Sequence, residues 1–326
     1  MARLTGNTLK GVWAGMPVCW DANNRFDEAT YRRNIERVIA FKPHGIYTSG
    51  STGEFFALDF DEFKTMVDAQ AELCGAARMP LQIGCCSDAT HKTIRLMEYA
   101  ASKKAVGGAQ VVLPYWMELR DPEVLQFFKD LRKAVPDLPF IHYNIDRTKR
   151  FLTGPQYRKL LDAGINIVGV KFGAAGRNFS ALQRAVVMTP EISYFVGEEM
   201  LASGMLIGAR GSYSSLCFTD PALMLNLYKT AASGKWAEAV RLQRLMATFC
   251  DDWEALGEKL GQGMIDPVGD KALGVASGCL LGHQRCRAPY IGWSDKAMSA
   301  FRNWLRAEYP QFLHPSLRKG RASKGK

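Results

Sequence analysis

Eight short apolar runs, each followed after a brief connection by a helical pattern, predict an α/β fold: a (β/α)8 TIM barrel with a C-terminal helical extension. Connections this short favour right-handed crossovers between parallel strands, and eight of them close a sheet on itself. The chain has 326 residues, 47% of them hydrophobic and 23% charged, enough for one large barrel and an appendage. Helical periodicity continues after the eighth unit with no further strand pattern, and no repeat or low-complexity linker separates the two parts.

The first strand is expected in Gly11 to Trp20, with turn chemistry over Asp21 to Asp27 and a helix over Glu28 to Phe41. His44 to Gly50 precedes a helix over Asp59 to Gly75, and Leu81 to Ser87 precedes one over Ala89 to Ala105. Ala109 to Pro114 leads to Asp121 to Val135, and Pro139 to Asn144 leads to Gly154 to Ala163. The sixth strand, Ile167 to Gly173, is apolar except for Lys171 and precedes a helix near Asn178 to Met188. Ile192 to Gly197 is followed by a helix opening at Glu198, and Gly208 to Ser215 by a helix over Asp220 to Ala232. Helices over Trp236 to Leu260, Gly269 to Leu281 and Ser294 to Ala307 complete the extension. The expected organisation is therefore a barrel over 1–234, a helical extension over 235–312 and a flexible basic tail over 313–326.

Composition narrows the function classes. Neither the N-terminal residues nor any other stretch holds an apolar run near the roughly 20 residues of a membrane span, which predicts a cytoplasmic protein. Eight cysteines are scattered without CxxC pairs and read as buried free thiols, not as a disulfide framework or a zinc site. The net charge of +10 is concentrated from Arg285 to Lys326, where ten basic and two acidic residues leave +8. Arg318 to Lys326 holds five of those basic residues but no aromatic side chain for base stacking, so a solubilising tail is favoured over a nucleic-acid arm.

In a barrel of this kind the active site lies at the C-terminal ends of the strands. That rule selects Gly50-Ser51-Thr52-Gly53-Glu54, Tyr143-Asn144, Lys171, Glu198-Glu199 and Ser214-Ser215. A lysine amine attacks a ketone only when unprotonated; an apolar strand is expected to lower its pKa, and a neighbouring phenol passes protons to and from the carbinolamine. Lys171 and Tyr143 suit those roles, and the glycine loop offers N–H groups and hydroxyls to a small carboxylate, which implies a 2-oxo acid substrate. Glu54 reads as an acceptor for loop N–H groups, His142 should face away from Tyr143 across the strand, and Cys85 and Cys86 read as packing residues. The remaining histidines have no partner at metal-ligand spacing.

These motifs, with Ala202-Ser203-Gly204 and Gly208-Ala209, resemble in order and spacing the dihydrodipicolinate synthase and N-acetylneuraminate lyase family over roughly residues 10 to 290. The resemblance implies a class I aldolase or lyase that forms a Schiff base with pyruvate or a related 2-oxo acid, needs no cofactor or metal, and assembles as a homotetramer or homodimer. Carried onto this chain, it makes Lys171 the Schiff-base lysine, Tyr143 the proton relay, and Ser51 and Thr52 the hydroxyls at the carboxylate. The expected catalytic residues are thus Lys171, Tyr143 and Thr52; the expected substrate-binding positions are Ser51, Gly53, Gly173, Glu198, Ser215 and Trp116.

Departures from the family's patterns narrow the reaction. Pro114-Tyr115-Trp116 stands where the lysine-pathway synthases usually carry a tyrosine pair, and Tyr143-Asn144-Ile145-Asp146-Arg147 lacks their proline and brings the arginine one residue early. Gly173 stands where sialic acid lyases commonly have threonine. Trp116 and Cys286-Arg287-Ala288-Pro289-Tyr290 are more similar to the hydratase-aldolases of aromatic pyruvate adducts, for which a stacking surface is suited. The expected reaction is carbon–carbon bond formation or cleavage with an aldehyde partner. The alternatives are a 2-oxo acid dehydratase or hydratase-aldolase using the same imine, and a non-catalytic barrel whose basic tail binds nucleic acid.

Overall fold

The computed structural model describes residues 2–173 and 178–318. Eight parallel strands form a closed barrel in chain order, with the last strand pairing back to the first. They are β1 (Gly11–Met16), β2 (Gly45–Thr48), β3 (Leu81–Gly84), β4 (Val106–Val111), β5 (Phe140–Asn144), β6 (Ile167–Phe172), β7 (Ser193–Val196) and β8 (Gly211–Ser214). The helices between them are α1 (Glu28–Ala40), α2 (Phe60–Ala76), α3 (Thr90–Ala101), α4 (Asp121–Ala134), α5 (Gly154–Asp162), α6 (Phe179–Met188) and α7 (Leu201–Leu206). After β8 come α8 (Pro221–Ala232), α9 (Trp236–Lys259), α10 (Val268–Ala276), α11 (Asp295–Glu308) and the single turn α12 (Pro315–Arg318).

The sequence reading of the fold class therefore holds, and local chemistry explains most element ends. Asp27 caps α1 by accepting the Thr30 N–H, Asp59 and Glu62 form a capping box at α2, and Ser294 caps α11. The strands are apolar because both faces are covered: Leu4, Leu9, Trp13, Ile141 and Phe195 plug the lower barrel interior, while the main core fills the layer between sheet and helices.

Several boundaries differ from expectation for identifiable reasons. β1 stops at Met16, and Trp20 instead bridges Phe26 across the following turn. β4 begins at Val106 rather than Ala109, its start hidden by Gly107 and Gly108. A Cβ there would lie 2.9 Å from Leu4 and 2.7 Å from Ile141, so the plug needs those glycines. β8 begins at Gly211 because Gly208, at φ +104°, turns the chain first. α10 ends at Ala276, two residues before the left-handed Gly278. The expected flexible tail is corrected at its start: Phe312 and Leu313 are buried, and Arg318 bonds Asp220 at 2.6 Å. Residues 319–326, the rest of that expected tail, lie outside the described residues. Among the described residues no helix is long and apolar enough to cross a membrane.

Candidate active site

Strand alternation places the chemistry. Val170 and Phe172 face the outer core, so Lys171 between them faces into the barrel mouth, directly opposite Tyr143 in the β5–β6 register. By the same alternation His142 points outward, where its Nδ1 lies 2.8 Å from the Tyr157 hydroxyl and burial pushes its pKa down to about 3.

Three phenols surround the lysine. Its Nζ lies 4.5 Å from the ring centre of Tyr143, 5.4 Å from that of Tyr47 and 5.8 Å from that of Tyr213, and it donates to the Tyr47 oxygen at 3.5 Å. Tyr213 is held in turn, donating to Gln82 at 2.7 Å, and Gln82 donates to Gln110 at 2.8 Å. Burial lowers the Lys171 pKa, but Tyr143, Tyr47, Asp266 and Glu198 oppose it and hold the ammonium well above its usual range. This corrects the expectation of a lysine depressed toward neutrality: the strand is apolar, but the groups facing its lysine are acidic.

The loop after β2 divides its two hydroxyls. Ser51 Oγ lies 3.3 Å from the Tyr143 hydroxyl and accepts from Arg147 Nη1 at 3.2 Å. Thr52 turns the other way and donates to Asp270 Oδ2 at 2.5 Å. The hydroxyl beside the phenol is thus that of Ser51, and the expected grouping of Thr52 with Lys171 and Tyr143 is corrected. Gly53 is a packing requirement, since a Cβ there would lie 2.5 Å from the Ser49 nitrogen and 3.1 Å from the Met16 carbonyl oxygen. Glu54, at φ +47°, is fully buried and is held from outside its own loop: it accepts from Trp20 Nε1 and the Arg287 N–H, each at 2.9 Å, and from Lys271.

The other expected positions are less engaged. Glu198 accepts from the backbone N–H of Ser215 at 2.6 Å and of Leu216 at 3.0 Å, and from the Ser215 hydroxyl at 3.2 Å, so the two residues bind each other. Gly173 donates its N–H to the Asn144 carbonyl, and a Cβ would strike Ile145 at 2.7 Å. Trp116 is 77% exposed and outside the cavity lining; the ring that enters the cavity wall is its neighbour Tyr115.

That cavity, about 220 Å³, is bounded by Ser51 and Tyr143 and by Phe55, Phe56, Val112, Tyr115, Ile145 and Tyr290, with Ile265, Asp266, Arg147 and Thr148 completing the wall. A larger hollow of about 500 Å³ shares Phe55, Phe56 and Tyr115 but runs toward α2 and α3, and neither Tyr143 nor Ser51 lines it. The smaller one is therefore the candidate substrate space. Sequence reasoning left Tyr47, Tyr213, Asp266 and Asp270 out of the site, although Tyr47 and Tyr213 could have been found as inward positions of β2 and β8. No group of His, Cys, Asp and Glu among the described residues has the arrangement of a metal site.

Comparison with known proteins adds relatives to this geometry. Residues 8–261 match the sequence model of the Dihydrodipicolinate synthetase family. A 4-hydroxy-tetrahydrodipicolinate synthase of Syntrophobacter fumaroxidans is 30% identical over 225 residues, covering 69% of this chain and 76% of the relative. Among solved structures, a prophage protein of the dihydrodipicolinic acid synthase family from E. coli K12, in complex with pyruvate, superposes with a TM-score of 0.81 at 20% identity, covering 92% of this chain and 98% of that one. A Clostridium difficile protein, CdNal, in complex with mannosamine, superposes with a TM-score of 0.78 at 23% identity, over 92% and 99% of the two chains. At these identities the superpositions establish the shared barrel.

Proposed function

This chain belongs to the dihydrodipicolinate synthetase family, and from that premise we propose how it works as a Schiff-base aldolase or lyase on pyruvate or a related 2-oxo acid. The observation that carries the reading is the juxtaposition of the Lys171 amine with the Tyr143 ring, whose hydroxyl meets Ser51 in the wall of a cavity.

Lys171, once its extra proton has left, attacks the keto carbon, and Tyr143 returns a proton to the departing hydroxyl so that water leaves and the imine forms. Ser51 passes or steadies that proton through its contact with the phenol, and Arg147 holds Ser51 by donating to its Oγ. Loss of a proton from the carbon next to the imine gives an enamine, which adds to an aldehyde; in reverse the protonated imine accepts the electron pair of the broken carbon–carbon bond. Thr52 and the N–H groups of its loop hold the carboxylate.

For the aldehyde partner the cavity favours an aromatic or apolar group, because Phe55, Phe56, Tyr115 and Tyr290 supply four rings while Arg147 supplies a cation. Dehydration of the same adduct, as in a hydratase-aldolase, is the second reading favoured by these rings. We also retain assembly into a homodimer or homotetramer; Trp116 and Met117, 77% and 71% exposed, supply apolar surface for a second copy.

The decisive experiment is intact-protein mass spectrometry after pyruvate and borohydride. The wild-type chain should gain one pyruvyl adduct, and Lys171→Ala should gain none. A folded wild type that gains none would overturn the reading.

A further inference from the structure

We propose that Asp270, contributed by α10, is a positioning residue that decides whether the Thr52 hydroxyl is free for the substrate carboxylate, and so makes 2-oxo acid binding weaken as Asp270 ionises. The inference rests on the Schiff-base reading above.

The geometry is a conflict over one proton. Thr52 has a single hydroxyl hydrogen, and it is given to Asp270 Oδ2 at 2.5 Å. With that hydrogen engaged, Thr52 can offer a second anion only lone pairs, and an ionised Asp270 behind it repels the incoming carboxylate. With Asp270 protonated, the carboxyl becomes the donor, Thr52 Oγ1 becomes its acceptor, and the threonine hydrogen turns to the substrate. A neutral Asp270 therefore opens the anion site and an ionised one closes it.

The surroundings set where that change occurs. Asp270 is 6% exposed. It faces Asp266 from the chain before α10, Glu198 from the end of β7, Tyr47 from β2 and Cys286 from the segment after α10. The hydroxyls of Thr52 and Ser215 and its place in the first turn of α10 favour its charged form, and Lys271 beside it is engaged by Glu54 and the Arg285 carbonyl. Burial first, and then the Asp266 charge, raise the Asp270 pKa to about 7. Carboxylate binding should thus be strong below that pH and fall above it.

The test separates this effect from titration of Lys171 by comparing two ketones on the same lysine. Pyruvate and its neutral isostere methyl pyruvate are trapped with cyanoborohydride on the full chain between pH 6 and 8.5, and the ratio of their half-saturation concentrations is followed. In the wild type the preference for pyruvate should fall on the order of tenfold as pH rises through 7. In Asp270→Asn, whose amide donates to Thr52 at every pH, the ratio should be flat and favour pyruvate throughout. Thr52→Val should lose the preference even at pH 6. A flat ratio in the wild type, or the same slope in Asp270→Asn or Thr52→Val, overturns the inference while leaving the lysine chemistry intact. If Asp270→Asn does not fold, the wild type and Thr52→Val decide. Failure to trap either ketone on the wild type at any pH would instead overturn the Schiff-base reading, and this inference with it.

Discussion

The strand ends of the barrel and the segments after α9 both supply the mouth, but with different kinds of group. β5 and β6 deliver Tyr143 and Lys171 as neighbours in register, so their separation is fixed by the sheet itself. The later segments deliver charge and cover: Asp266 and Asp270 face the mouth, Lys271 and the Arg287 backbone hold Glu54, and Tyr290 closes the cavity wall. In this division the sheet sets which bond can form, while the extension sets the electrostatics around it and the shape of the partner space.

Breaking the barrel side at Tyr143, the proposed proton relay, should have the largest effect. Tyr143→Phe keeps the ring against Lys171 but removes the hydroxyl that meets Ser51. Steady-state kinetics should show kcat reduced by about 10²–10⁴-fold with KM changed far less. Equal loss in kcat and gain in KM would make the phenol a binding group instead of a relay.

Breaking the extension side at its buried ion pair should act on stability first. The Lys271 side chain is 4% exposed and that of Glu54 is fully buried. Lys271→Met removes the cation and leaves the carboxylate with two neutral donors, Trp20 Nε1 and the Arg287 N–H. Chemical denaturation should show a loss of about 3–5 kcal/mol, the cost of an uncompensated buried charge. Adding Glu54→Gln to the same chain should recover part of that loss, and a double variant as unstable as the single one would show that packing, and not charge, dominates.

The same division explains what could be read from the amino-acid sequence. Lys171 stood out because a charge inside an apolar strand is rare, and Tyr143 because the strand-end rule fixes which residues meet at the mouth. His142 was separable from Tyr143 by alternation alone. Asp266 and Asp270 gave no such signal: their place over the mouth depends on how α10 packs back onto the barrel, a tertiary choice with no local period. The direction of the Lys171 pKa was misread because Tyr143 and Tyr47, and after them Asp266 and Glu198, all face the lysine and outweigh its burial, a convergence of four segments that the apolar strand alone does not show. Trp116 and Tyr115 sit in a rim loop, where neither of the two regular periods says which ring turns inward.

The smallest effect expected is also the one that separates the two regions most cleanly. Tyr290, from the segment before α11, packs edge-on against Phe56 at 5.1 Å between ring centres and lines the cavity away from the lysine. Because it does not touch Lys171, Tyr143 or Ser51 in the hydrogen-bond network, Tyr290→Ala should leave pyruvate trapping on the lysine unchanged. It should raise KM for an aromatic aldehyde by about tenfold, the value of one lost aromatic contact of roughly 1.4 kcal/mol, and leave KM for a small aliphatic aldehyde within about twofold. Competition between the two aldehydes on one enzyme preparation measures the ratio directly. An unchanged ratio would remove Tyr290 from the partner space and return the choice of aldehyde to the rings carried by the barrel loops, Phe55, Phe56 and Tyr115.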